Sequence, residues 1–476
     1  MKLNGQLKED TGYSWVMTRV EPASPFGHAL VRSPKWYGPG QRDELERELA
    51  RVERLLELLQ EGSPLLDTMT HILSEFHDIR NSLKRPTSAP MDEVELFEVK
   101  HFLIHLERLA EAFGQMDALD GLEIRPMTEA LDLLDPSGRR LPAFSVENAF
   151  APALERIRQE KSMVENLLRQ AEKKGRDDLM ARRRELVGKE DRLELEARKR
   201  LTMALLRDKD RFLSTMDDIG RLDLVLAKAR LARRFHCCRP QVAEGTRVES
   251  ADMVHPEVAD HLKERGAMFT AVSIALDKGA TVITGANMGG KSVSMKSLTL
   301  NLLLMQTGYF TFAGSFSAPL FDSVGLICTD RQSVEQGLSS FGAEVAALGD
   351  VLREEKGKFF YVALDEFARG TNPREGAALA RALVEYLGKL NCVALLTTHY
   401  DGVSDAARRH YRVAGLGALD TAAIRKDEHP LDRLSRLMDY HLIEAAPGEP
   451  CPRDALRVCR LLDLDPELMK IFSENS

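Results

Sequence analysis

Leu45, Leu49, Val52, Leu56 and Leu59 recur in steps of three and four with Glu and Arg between them, which predicts an amphipathic helix from Arg42 onward. The same period runs through residues 65–82 and 92–116, so the first part of the chain reads as all-helical. Between Leu131 and Phe144 the Pro136-Ser137-Gly138 string separates two apolar stretches, the pattern of a turn in a short hairpin. From Ala153 to about Arg234 the chain is highly charged and helical in period, with Gly175 and Gly188 as its weak points. Two antiparallel helices projecting as a pair fit that stretch.

Near Phe235 the character changes: His236-Cys237-Cys238-Arg239-Pro240 leads into β-like and loop-like sequence. We therefore expect a helical region over 1–235, with the charged pair at about 150–215, and a second domain over 236–476. In the second domain short apolar runs alternate with helical patterns. Thr281 to Thr284, Phe359 to Leu364 and Val393 to Thr397 are the clearest strands, and the alternation predicts an α/β layer with a largely parallel sheet.

Composition changes this picture little. With 476 residues, 43% hydrophobic and 29% charged, the chain is long enough for more than one core and is not disordered in bulk. The net charge of −8 offers no global attraction to a phosphate polymer, so nucleic-acid binding would need a local basic surface. The six cysteines, Cys237, Cys238, Cys328, Cys392, Cys451 and Cys459, lack the spacing of a zinc or redox motif and read as free thiols. The start lacks the apolar run of a secretory signal and no stretch suits a membrane span, so a cytoplasmic protein without a membrane partner is expected.

The chemistry concentrates after the predicted strand Thr281 to Thr284. Gly285-Ala286-Asn287-Met288-Gly289-Gly290-Lys291-Ser292 and Val293 follow it and open a helical pattern, which is the strand, glycine loop and helix order of an ATP-binding P-loop. Glycines let backbone N–H groups converge on phosphate, Lys291 reaches the outer phosphates, and the Ser292 hydroxyl suits Mg²⁺. Phe359 to Glu366 is an apolar strand ending in paired acids, with Asp365 expected in the Mg²⁺ shell and Glu366 polarising the attacking water. His399, just past the third strand, is placed to sense the γ-phosphate or orient water.

These strings, with Leu364-Asp365-Glu366-Phe367-Ala368-Arg369-Gly370-Thr371-Asn372 and Thr397-Thr398-His399-Tyr400, resemble the MutS family of ATPases. The resemblance implies an ABC-like P-loop NTPase domain following α-helical levers, with ATP and Mg²⁺ at composite dimer sites. Gly337 to Glu344 is similar to the family's segment whose serine enters the partner subunit's nucleotide site, and Ser339 is the matching position. His255-Pro256 and Phe269 resemble the His-Pro and adenine-stacking positions, and Arg369-Gly370-Thr371 the loop at the dimer contact. Ser24-Pro25-Phe26-Gly27 looks like the start of the lever region, and Asp223 to Ala229 like the segment where the levers return.

Departures from the family shape the functional expectation. Only 23 residues precede Ser24, so no mismatch-reading domain is expected, and no appended nuclease domain after the short C-terminal region. Arg182-Arg183-Arg184 and Arg198-Lys199-Arg200 are interleaved with acids and read as a solvated helix face. Ala286 stands for the family's usual proline and Val293 for its threonine, neither of them a phosphate or Mg²⁺ ligand. Short MutS-like proteins of this kind resemble the ATPase component of lysine 5,6-aminomutase reactivases, and that reading is preferred. It implies a homodimer, or a heteromer with a second subunit, acting on a B12-dependent client enzyme. The alternative is a repair- or recombination-type homologue that binds mismatched or branched DNA. A transporter or SMC-type ATPase fits less well, because the Leu-Ser-Gly-Gly-Gln signature is absent, and the SMC architecture is excluded because the long helices precede both nucleotide motifs.

Overall fold

A computed structural model describes residues 4–86, 89–117, 119–170, 175–285, 290–328, 340–416, 437–446, 448–450 and 455–474. The chain divides into two compact units: Met1–Val20 with Pro34–Leu56 and Lys228–Ser476, and Glu21–Ser33 with Glu57–Ala227. Helices dominate before Phe235 and a mixed α/β arrangement follows.

The division differs from the single boundary expected near Phe235, because early segments are bound into the unit that holds the sheets. Tyr13 donates through its hydroxyl to Thr307 Oγ1 at 3.2 Å, and the Tyr37 N–H donates to the Gln306 carbonyl at 2.9 Å. Lys228 reaches both Glu48, at 2.6 Å, and the Thr307 carbonyl, at 3.3 Å. Burial alone would raise the Glu48 carboxyl, but Lys228 and Arg51 hold it below the ordinary range. Residues 45, 49, 52 and 59 of the predicted stripe are buried on the helix Arg42–Gln60, with Leu55 rather than Leu56 completing it.

The strands of this unit are β1 (Gln241–Val242), β2 (Val248–Met253), β3 (Val272–Leu276), β4 (Gly279–Thr284), β5 (Ser315–Ala318), β6 (Ser323–Ile327), β7 (Phe360–Asp365), β8 (Cys392–Thr398), β9 (Arg409–Gly415) and β10 (Asp439–Ala445). A six-stranded sheet runs in the order β10-β9-β4-β8-β7-β6, parallel except for β10. A smaller sheet has the order β1-β5-β2-β3. β4 and β8 are buried along their whole length, as continuous apolar runs of a parallel sheet require. Val282, Val362, Leu364, Ala394 and Leu396 pack with Leu383, Val384 and Leu387 of the helix Pro373–Leu387. The helix Lys291–Gln306 is buried on nearly every face, so its position after β4 is tightly determined.

The helical unit is organised by caps and aromatic packing. Asp92 accepts from the Glu95 N–H at 2.8 Å while Glu95 accepts from the Asp92 N–H at 3.0 Å, a capping box that starts the helix Glu93–Phe113. Phe102 of that helix meets Phe26, Phe76 and Phe212 with ring centroids 5.2 to 6.3 Å apart. The two segments likened to the start and the return of a lever also meet. Asp223 accepts from the Ala23 N–H at 2.9 Å, the Ser24 N–H at 2.7 Å and the Ser24 hydroxyl at 2.5 Å. Burial raises the Asp223 pKa, with those hydrogen bonds opposing.

The short hairpin expected over Leu131 to Phe144 does not form. The helix Thr128–Leu134 ends there, and Asp135 accepts from Lys100 at 3.2 Å and from the Arg140 N–H at 2.7 Å. Lys100 also donates to the Ala143 carbonyl at 3.0 Å, so the buried ion pair, and no strand partner, folds the segment back. The charged stretch does form a helical pair, Ala153–Gln170 and Arg176–Arg207, with Gly175 at φ 107° before the second helix. Gly188 lies inside that helix and does not interrupt it. Arg158 meets Glu190 and Glu194, Arg182 meets Glu160, and Arg183 meets Glu165, a ladder that runs in antiparallel register. The Arg182 and Arg183 charges are thus answered within the pair itself. The five described cysteines, Cys237, Cys238, Cys328, Cys392 and Cys459, are free thiols. Among the described residues no helix is long and apolar enough to cross a membrane.

Candidate functional site

Parallel register brings the carboxyl ends of three strands to one edge of the larger sheet, the place where open α/β sheets bind ligands. Thr284 at the end of β4 is paired with Thr398 of β8, and Asp365 at the end of β7 with Thr397. The residues that follow these ends, Gly285, Glu366 and His399, therefore gather at the same edge, although they are widely separated in sequence.

Gly285 and Gly290 need their missing side chains. Gly285 has φ 150° and a Cβ there would come within 3.1 Å of Val413; Gly290 has φ 80° and its Cβ would come within 3.0 Å of Tyr440. Gly290 caps the helix Lys291–Gln306, so that helix's N-terminus, with its partial positive charge, opens at this edge. Ala286, Asn287, Met288 and Gly289 lie outside the described residues.

Lys291 is 4% exposed. It donates to the Gly285 carbonyl at 2.8 Å and stands 3.4 Å from Glu366 Oε1. Ser292 donates to Asp365 Oδ1 at 2.8 Å, and the same oxygen accepts from Thr397 Oγ1 at 2.6 Å. A hydroxyl and a carboxylate converging in this way form an oxygen donor set of the kind that suits a hard divalent cation. Val293 is half-buried beside them, and its carbonyl accepts from Ser297 at 2.7 Å.

Glu366 has φ 48° and Ala368 φ 64°, both in the left-handed region that costs a non-glycine residue about 1–2 kcal/mol. Neighbouring side chains clamp this turn. The Glu366 N–H donates to Thr397 Oγ1 at 3.0 Å, the Ala368 N–H to Glu344 at 3.0 Å, and Tyr400 donates to the Ala368 carbonyl at 3.1 Å. Gly376 leaves room for that tyrosine, since a Cβ there would lie 2.6 Å from the Tyr400 hydroxyl. The Glu366 carboxylate is aimed between Lys291 and Arg369, the latter donating at 2.7 Å.

His399 Nδ1 is 3.9 Å from Glu366 Oε1, and this buried nitrogen has no hydrogen-bond partner among the described residues. Burial pushes the imidazole below its ordinary value, with Glu366 opposing and Lys291 and Arg369 adding to the effect. A neutral ring facing a carboxylate and a lysine is suited to orienting a polar ligand.

The structure thus brings together Gly285, Gly290, Lys291, Ser292, Asp365, Glu366 and His399. Phe269 is half-buried on the loop before β3, outside this hydrogen-bonded cluster. Ser339 lies outside the described residues. Thr397, Glu344 and Tyr400 were not assigned roles from the sequence, although all three belong to the quoted strings. Their signal was the strings themselves; what they touch depends on strand register. His255 caps the helix Pro256–Glu264 and is 3% exposed, a buried packing position beside Gly12.

Residues 281–434 match the family model of MutS domain V. The chain is 34% identical over 304 residues to the Endonuclease MutS2 of Thermomicrobium roseum, a match that covers 61% of this chain and 36% of that protein. It is 33% identical over 256 residues to the Endonuclease MutS2 of Thermus thermophilus, covering 54% and 31%. With the Endonuclease MutS2 of Staphylococcus aureus it shares 33% over 202 residues, covering 42% and 25%. The matches therefore span about a quarter to a third of these relatives' own length.

Proposed function

We propose that this chain, which belongs to the MutS family and carries its domain V, is an ATP hydrolase that uses nucleotide turnover to act on DNA. The observation that carries the hydrolase reading is the joining of Ser292, Asp365, Thr397, Glu366 and Lys291 at one sheet edge. Ser292 and Asp365 hold Mg²⁺. Lys291 and the helix N-terminus after Gly290 bind the outer phosphates. Bound Mg²⁺·ATP supplies the phosphoryl group and neutralises the charge that develops on it. Glu366, held in place by the Thr397 hydroxyl and the Arg369 guanidinium, orients the attacking water and accepts its proton. His399 orients the same water or the phosphate through its neutral ring.

The site is completed across a dimer, with Ser339 of each subunit acting on its neighbour's nucleotide. Ser339→Ala should lower turnover with ATP affinity retained; an unchanged rate would remove the composite site. DNA as the partner is supported by the endonuclease names of the MutS2 relatives. A client enzyme of the B12-dependent aminomutase type is the second reading; the Arg182–Glu160 and Arg183–Glu165 pairs already engage two of the arginines that the helical pair could offer to phosphates. The decisive experiment isolates the Glu366→Gln protein after ATP loading and asks what it retains. Retention of branched or duplex DNA at low salt supports the first reading, and co-purification of an enzyme without DNA supports the second.

A further inference from the structure

In the helical unit, His101 and His105 are four residues apart on the helix Glu93–Phe113 and so project from one face. Their Nε2 atoms are 3.1 Å apart. Glu75 caps the C-terminus of the helix Pro64–Ser74, which packs against that face. One carboxylate oxygen of Glu75 and one ring nitrogen from each histidine lie within 4.8 Å of one another.

We propose that Glu75, His101 and His105 bind one divalent transition-metal ion of the zinc type, with water completing its coordination. Two imidazoles and one carboxylate are the donor set of an open zinc-type site, and the nitrogens discriminate against Mg²⁺ and Ca²⁺, which take oxygen ligands. The geometry also fits: with metal–nitrogen bonds of about 2.05 Å, a 3.1 Å nitrogen separation subtends roughly 100° at the ion, between octahedral and tetrahedral angles. A shared proton would also hold two imidazoles at this distance, but it gives Glu75 no part.

The surroundings support a ligand site. His105 is buried, while His101 and Glu75 are half-exposed, which leaves a path from solvent. His77 stacks on His101 with ring centroids 5.4 Å apart and pairs through Nδ1 with Glu98 at 2.7 Å, which limits how far the His101 ring can turn. An ion here ties the end of one helix to the middle of another.

The test uses the full chain stripped with EDTA and titrated with Co²⁺ alone, without nucleotide, following the visible absorption of bound cobalt and its displacement by Zn²⁺. We expect one ion per chain, displaced by Zn²⁺ and not by excess Mg²⁺. Glu75→Gln and His101→Ala should each weaken binding at least ~10-fold with the circular dichroism spectrum unchanged. Glu75→Gln keeps the side-chain volume, so its result stands even if His101→Ala disturbs packing. No Co²⁺ uptake, uptake unaltered by Glu75→Gln, or a thiolate charge-transfer band placing the ion on cysteine would each overturn the proposal. ATP turnover is not read, so the result is independent of the proposed hydrolase activity.

Discussion

Ser292 donates its hydroxyl hydrogen bond to Asp365 Oδ1 across 2.8 Å, joining the first turn of the helix after β4 to the end of β7. The contact sets the two oxygens where one small cation can meet both. Ser292→Ala should therefore raise the Mg²⁺ concentration needed for half-maximal ATP turnover. Saturating Mg²⁺ should restore much of the rate. A Mg²⁺ titration identical to wild type would dissociate Ser292 from the metal.

Lys291 and Glu366 lie 3.4 Å apart yet should fail in different ways. Removing the amine in Lys291→Ala deletes charge-assisted hydrogen bonds of ~1.5–3 kcal/mol, weakening ATP binding at least ~10-fold. Glu366→Gln keeps the size and hydrogen-bonding reach of the side chain but removes its basicity, so ATP affinity should persist while turnover drops ~100-fold or more. Calorimetric binding beside a phosphate-release assay separates the two; wild-type turnover by Glu366→Gln would remove it as water activator.

Because burial keeps the His399 pKa below 6.5, the ring is neutral at neutral pH. Turnover should not fall through titration of His399 as the pH is lowered from neutrality toward 6.5. His399→Gln should reduce the rate without shifting the profile in that range. A fall in wild-type activity centred above 6.5 that vanishes in His399→Gln would contradict the neutral-ring assignment.

Gly27 lies against the Asp223 carboxylate so closely that a Cβ would sit 2.4 Å from Oδ2 and 2.7 Å from Pro22 Cβ. Gly27→Ala must push apart a buried carboxylate that holds three hydrogen bonds. We expect a loss of about 1–3 kcal/mol in the stability of the helical unit, read from urea unfolding by circular dichroism. An unchanged midpoint would show that the clasp yields freely.

Burial lowers His255 from 6.5 to about 4, with Lys296 acting in the same direction and the Thr11 backbone opposing. The unfolded chain gains this proton near 6.5 and the folded chain only near 4. The contribution is complete above pH 6.5 and is lost as the pH falls from 6.5 to about 4. At about 1.4 kcal/mol per unit it amounts to about 3 kcal/mol at most. His255→Asn, which keeps an acceptor at the helix cap, should flatten stability in that window, as thermal melts across the range would show.

Much of the architecture was legible because periodicity reports directly on burial. The stripe beginning at Leu45, apart from Leu56, and the apolar runs of β4, β7 and β8 are buried as their patterns predict. The hairpin expected near Pro136 failed for a reason no local pattern carries. Asp135 is held by Lys100, 35 residues earlier, and the same lysine holds the Ala143 carbonyl. The division into units was hidden for a similar reason, since Lys228 finds Glu48 and Thr307 only after folding.

By itself the sequence determined which groups are candidates for the chemistry: the glycines that permit a tight loop before a helix, the lysine, the hydroxyl and the paired acids. These are local requirements of backbone freedom and functional-group type, and they lie in contiguous strings. Tertiary structure alone decided that Asp365 accepts from both Ser292 and Thr397, and that Glu366 keeps its strained turn through Thr397, Glu344 and Tyr400. It also set His101 beside His105 and Glu75. The physical reason is that these partners are set by strand register and helix packing, and a hydrogen bond is made or lost over an ångström, a precision that spacing along a chain does not encode.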